Sequence, residues 1–211
     1  MPDAFPDAGA ELEALFERLQ HPNPHLRERA MGELAEQADD AVIERLLAVL
    51  DAEDVAYRRT AVKTLGAIGA MVVPRLVAIL QTSDNATVRS SCAKALAQVA
   101  NNHPDQPFPA VGLQGLQGAL TDVNPVVHIA AVMALGEVGE PATEILVQAF
   151  QSTDNPALAV AIANALGGIG NEAAIAVLTA ATTAEDIDSY VRETAVSALS
   201  RAQQVAGYRG R

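Results

Sequence analysis

Cys92 is the only thiol in the chain, so any sulfur nucleophile would have to be built on it. Nucleophilic catalysis also needs a base and an orienting group. Cys92 stands at an apolar position of a helical pattern, where a small buried hydrophobe is the expected reading. The histidines are His21, His25, His103 and His128. A zinc-binding helix carries two of them four apart on one face. His21 and His25 are four apart, but Pro22 and Pro24 put them in a turn, so no metal site is expected. The paired carboxylates Asp39–Asp40 and Glu185–Asp186 fall between helical segments, where solvated charge is the ordinary state. No phosphate-cradling glycine loop is present and no strand is predicted. No residue is assigned a catalytic role, and the reading leans away from an enzyme.

What such side chains would be mounted on follows from the rest of the chain. Its 211 residues carry 14 Lys plus Arg against 26 Asp plus Glu, a net charge of -12. Half are hydrophobic but only 3% aromatic, so the apolar content is mostly Ala, Leu and Val. That composition buries enough surface to exclude disorder, and one Cys excludes a disulfide scaffold. No run of about 18 apolar residues predicts a membrane span. The acidic start, MPDAFPDAGAELEALFERL, is unlike a secretory leader, and a cytoplasmic protein is expected. Residues 95–191 hold ten acidic residues and no Lys or Arg. Nucleic-acid binding draws on cations that release counterions, so it is not expected.

The chain repeats itself. The segments HLRERAMGELAEQ, AYRRTAVKTLGAIG, TVRSSCAKALAQVA, VVHIAAVMALGEVG, ALAVAIANALGGIG and YVRETAVSALSRA align on Arg27, Arg58, Arg89, His128, Ala159 and Arg192. Four residues before each of these anchors stands Asn23, Asp54, Asn85, Asn124, Asn155 or Asp188. Asn and Asp are preferred helix N-caps, because the side-chain oxygen accepts from an otherwise unpaired first-turn N–H. Pro24, Pro125 and Pro156 follow at the first helical position. Apolar residues at anchor −1, +3, +4, +7 and +10, such as Tyr57, Ala61, Val62, Leu65 and Ile68, line one face at a 3.6-residue period. Gly69, Gly139 and Gly170 end three of these helices. A shorter amphipathic helix precedes each one, ELEALFERL and AVIERLLAVL being the first two. A pair that short cannot bury its own apolar face, so the expected fold is all-α: a stacked solenoid of about six helical hairpins. Small residues at +3 (Ala30, Ala61, Cys92, Ala131, Ala195) let neighbouring helices approach closely. One solenoid is expected over residues 10–205, with flexible ends at 1–9 and 206–211 and a longer loop at 101–109.

The Asx…Val-Arg…Ala…Ala-Leu-Gly pattern resembles the HEAT repeat over nearly the whole chain. The resemblance implies a right-handed superhelix, and anchor arginines that bridge successive repeats through Asx–Arg ladders. More narrowly, the chain is similar to the short acidic HEAT proteins of cyanobacteria related to the E/F-type phycocyanobilin lyases. That group includes bilin lyase subunits, phycobilisome-degradation factors and an iron–sulfur assembly accessory.

A surface can be counted off the anchor column. The second helix of each hairpin is expected to line the concave side, with +1, +2 and +5 facing out. These positions include Arg29, Arg59, Lys63 and Lys94 in the first three repeats, and Ile129, Met133, Val160 and Asn164 in the next two. One groove then has a basic half and an apolar half, and an exposed apolar patch marks a binding site. The expected occupant is a helical partner held by Ile129, Met133 and Val160 and steered by the cations. The alternative is that repeats four and five bury a wider apolar stripe. In the insertion NNHPDQPFP, Phe108 either anchors the loop to the core or meets a partner.

The expected function is therefore a non-catalytic scaffold or chaperone-like adaptor, acting as a monomer or in a hetero-complex. By resemblance its client is a phycobiliprotein or another photosynthetic component. Two alternatives stay open by resemblance: a bilin lyase subunit, whose groove cations Arg59, Lys63 and Lys94 would meet phycobilin carboxylates, and an adaptor in iron–sulfur cluster assembly. No cofactor is read from the residues themselves.

Overall fold

The computed structural model describes residues 8–209. Among these residues the chain forms twelve α-helices and no strand, arranged as six hairpins. The first helices are α1 (Ala8–Arg18), α3 (Asp40–Ala48), α5 (Val73–Thr82), α7 (Ala110–Ala119), α9 (Thr143–Ser152) and α11 (Glu172–Thr183). The second helices are α2 (Pro24–Glu36), α4 (Val55–Ile68), α6 (Ala86–Asn102), α8 (Pro125–Val138), α10 (Pro156–Ile169) and α12 (Ser189–Arg209). Of the ends expected to be flexible, 1–7 and 210–211 lie outside the described residues.

The Asx column does what its chemistry dictates. Asn23, Asp54, Asn85, Asn124, Asn155 and Asp188 accept from the N–H of His25, Ala56, Thr87, Val126, Ala157 and Tyr190 at 2.7–3.0 Å. Each cap is worth about 1 kcal/mol. Gly69 and Gly139 end α4 and α8 at φ 93° and 78°, and Gly170 ends α10 at 64°, conformations that only glycine adopts without strain.

The core runs as columns through the stack. Leu34, Leu65, Leu96, Leu135 and Leu166, all at +7, are wholly buried, as are Ala30, Ala61, Cys92, Ala131 and Ala195 at +3. The +8 column is small as well, and the helices use it. A Cβ on Gly66 would lie 2.2 Å from the Cβ of Gln98 on α6, and one on Gly167 would lie 3.0 Å from Ala198 on α12. Successive second helices therefore pack side by side along the whole array, whereas among the first helices only α5 and α7 draw comparably near, and α9 and α11 touch more sparsely. In a bent stack the more closely spaced layer lies on the inside, so the second helices form the inner layer. On α12 the column opens to solvent: Val196, at the +4 position that is sealed in repeats two to five, is 55% exposed.

The insertion folds back on its own chain. Nε2 of His103 lies 3.2 Å from the Ala67 carbonyl, and the Phe108 ring lies over Gly112, which Val73 also approaches. Phe108 is half-buried and anchors the loop. No single helix among the described residues is long and apolar enough to cross a membrane.

Candidate partner-binding trough

The inner face is built from the +1 and +5 positions of the second helices, with Arg29 joining it from +2 of the first repeat. Arg29, Arg59, Lys63, Lys94, Met133 and Asn164 are exposed, Met133 to 63%. Ile129 and Val160 are half-buried and packed on the core. In repeats two to four the +2 column does not face out as expected. Thr60, Ser91 and Ala130 are buried, and so is Ser90 at +1. Close approach of the second helices turns this column into their contact. The buried hydroxyls are satisfied by their own helix: Thr60 donates to the Ala56 carbonyl at 2.8 Å, and Ser91 to that of Thr87 at 2.7 Å.

The cations divide sharply by what they bond. Arg18 and Arg29 share Glu33 at 3.6 and 3.5 Å, Arg45 pairs with Glu13 at 2.6 Å, and Arg75 with Asp40 at 2.7 Å. Arg201 donates to Asn164 Oδ1 at 2.8 Å, which ties that trough residue across to α12. Among the described side chains, Arg59, Lys63 and Lys94 make no such bond. Arg59 and Lys63 are one turn apart on α4, and Lys94 takes Lys63's repeat position on the adjacent α6. With Arg27, Glu28 and Met31, Arg59 and Lys63 line a hollow of about 270 Å³ between α2 and α4. Arg201, a further cation at the trough's far end, escaped the sequence reading because it lies at +9, beyond the positions counted.

The anchors do not form the Asx–Arg ladder that the resemblance implied. Arg27, Arg58, Arg89 and His128 each bond the carbonyl six residues earlier, on His21, Ala52, Ser83 and Asp122, and Arg192 bonds that of Ala184. Side chains on a helix lean toward its N-terminus, so a first-turn guanidinium reaches the turn of its own hairpin. Of the anchors, only Arg89 also grips a carboxylate of the next repeat, Asp122.

Cys92 is sealed among apolar neighbours, and burial pushes its thiol up to about 12. A thiol in that state is protonated at neutral pH and is a poor nucleophile or ligand. Among the described residues, no group of three His, Cys, Asp or Glu side chains is placed to hold a metal ion.

Residues 12–97 and 113–200 match a family model described as HEAT repeats. "Uncharacterized phycocyanin operon protein Z" of Pseudanabaena tenuis (strain PCC 7409) is 55% identical over 198 residues, 94% of this chain and 98% of its own. "Bilin biosynthesis protein CpeZ" of Synechococcus sp. (strain WH8020) is 41% identical over 127 residues, 57% of this chain and 68% of its own. The complex of CpcE and CpcF of phycocyanin lyase from Nostoc sp. PCC7120 superposes with TM-score 0.50 at 20% identity, over 74% of this chain and 98% of the matched one. A designed armadillo repeat protein gives 0.51 at 16%, over 92% and 100%. At those identities the two structures establish the solenoid fold alone.

Proposed function

This chain belongs to the HEAT-repeat family, and on that premise we propose that it is a non-catalytic scaffold that captures a phycobiliprotein client in its inner trough. The observation that carries the reading is the trio Arg59, Lys63 and Lys94. They bond no side chain among the described residues and stand together on the inner face of a protein of net charge -12, Lys94 on the second helix next to that of the exposed Met133 and Arg59 and Lys63 one further along. Three mutually repelling cations left unpaired in an acidic protein favour an anionic surface arriving from outside. The apolar half beside them supplies contact area. The relatives' names tie this lineage to phycocyanin and to bilin biosynthesis, which supports a client of that class.

The test is titration of purified apo-phycocyanin subunits against the wild-type chain and against Arg59→Glu/Lys63→Glu/Lys94→Glu. The reading expects binding that weakens with salt and is lost in the triple variant, whose circular dichroism stays unchanged. Equal binding by the variant, or none by the wild type, overturns it.

A second reading, subunit of a bilin lyase, is favoured by the same cations, which match the carboxylates of a free bilin, and by the name of the second relative. Mixing the protein with free phycocyanobilin decides it: an absorbance shift abolished in the triple variant supports it, and no shift at high micromolar concentration removes it. The iron–sulfur alternative draws no support from the site, since Cys92 is sealed.

A further inference from the structure

We infer that the hollow between the fifth and sixth hairpins is a vacated anchor site that receives an arginine side chain from a partner protein. The inference follows from comparing the six repeats. Five of the anchors reach into the cleft at the hairpin turn with a guanidinium or an imidazole that bonds a turn carbonyl. In the fifth the anchor is Ala159, which has no donor. A hollow of about 550 Å³ opens there, against about 430 Å³ at the third turn, where Arg89 is in place.

Its lining keeps the surroundings of an arginine. Arg89 in the third repeat donates to the Ser83 carbonyl at 2.8 Å, feels the charge of Asp84, and forks onto Asp122 of the next repeat. Counting from the anchors, the matching residues in the fifth repeat are Thr153 and Asp154; in the place of Asp122 stands Ala184, whose carbonyl Arg192 bonds as His128 bonds that of Asp122, and the carboxylate of Asp186 follows two residues on. The turn before Arg192 is two residues longer than the others, yet Thr153, Asp154 and Asp186 all line the hollow. No side chain donates to the Thr153 carbonyl, and Asp186 is exposed without an ion pair. Phe150, Ala159, Ala181 and Val191 form buried apolar walls suited to the methylene stem. The chain cannot fill the site locally, because residues 95–191 contain no Lys or Arg.

A planar guanidinium matches a carbonyl and a carboxylate together better than an ammonium does, which selects arginine over lysine. The site lies at the hairpin turns, apart from the trough, and its test is independent of the trough reading. The probe is acetyl-Gly-Arg-Gly-amide, titrated into the isotopically labelled full chain, with amide chemical shifts as readout. Saturable shifts are expected at 153–159 and 180–191, with affinity reduced about tenfold, or about 1.4 kcal/mol, when citrulline replaces arginine. They should vanish in Ala159→Arg, which supplies the missing side chain from within and raises the melting temperature. Asp186 is exposed, so Asp186→Asn keeps the fold and should weaken binding even if Ala159→Arg does not fold. No saturable shift, equal binding of the citrulline peptide, or unchanged arginine binding in Asp186→Asn would each overturn the inference.

Discussion

Arg89 and Asp122 join two hairpins by a fork: Nε donates to Oδ2 at 2.7 Å and a terminal nitrogen to Oδ1 at 2.8 Å. Both side chains are 11% exposed, and Asp122 also accepts from the Asn124 N–H at 2.8 Å. Among the described residues, the other ion pairs are more open to solvent. Exposed pairs contribute little to stability, so this fork is the ion pair that matters. Asp122→Ala should cost about 2 kcal/mol, the value of a hydrogen bond to a charged group.

The same pair sets an acid dependence. The Arg89 guanidinium holds the Asp122 carboxyl below its usual range, with help from the Asn124 N–H. A lowered folded value means the contribution is complete above the unfolded value of about 3.9 and disappears as pH falls through the folded value. Urea melts of wild type and Asp122→Ala should therefore differ by a constant amount near neutrality. The gap should close progressively below about pH 4.

Gly66 should not tolerate a methyl group. An added Cβ would sit 2.2 Å from Gln98 Cβ and 3.0 Å from its backbone carbon, and neither can step aside without separating α4 from α6. The helix-propensity gain of about 1 kcal/mol is then outweighed by overpacking of about 1–3 kcal/mol. Gly32, with nothing within 4 Å, is the control, and Gly32→Ala should stabilise by about 0.5–1 kcal/mol. Thermal melts of the two variants should move in opposite directions.

Cys92 should be inert in the native state. Its thiol is wholly buried and raised to about 12 by that burial, so at pH 8 it is almost fully protonated. Ellman's reagent should label it rapidly in denaturant, but without denaturant only at the rate of unfolding. Prompt labelling of the native protein would contradict the packing around α6.

Ile129 and Met133 separate packing from docking. Met133 is 63% exposed, so Met133→Asp should leave the melting temperature near that of wild type while weakening client capture. Ile129 is half-buried against the core, so Ile129→Asp should lower it by several degrees.

Phe108→Ala should release the 103–109 segment from the turn it covers. The ring fills the space over Gly112. Its half-buried position points to a loss of about 2 kcal/mol, the lower part of the range for core truncations. Amide exchange should rise at 103–109 before it rises in α6 or α7.

The repeat, the caps, the twelve helices and the core columns are all properties of short spans of chain, and they are legible in the residues alone. An N-cap bond spans two or three residues and an apolar face is set by the 3.6-residue period, so Asp54, Gly69 and Leu65 announce their roles without a partner. Which surface positions stay open is a relation between neighbouring hairpins. How close two second helices come depends on Gly66 and Gln98 jointly, and that distance buries Thr60, Ser90 and Ser91 where +1/+2 counting expected them to face solvent. The tying of Arg29 to Glu33, the reach of Arg201 to Asn164 and the hollow left by Ala159 likewise arise only once side chains from separate helices or turns share one space. Local hydrogen bonding and hydrophobic period wrote the helices, and the spacing between stacked helices decided which charges were left free to bind.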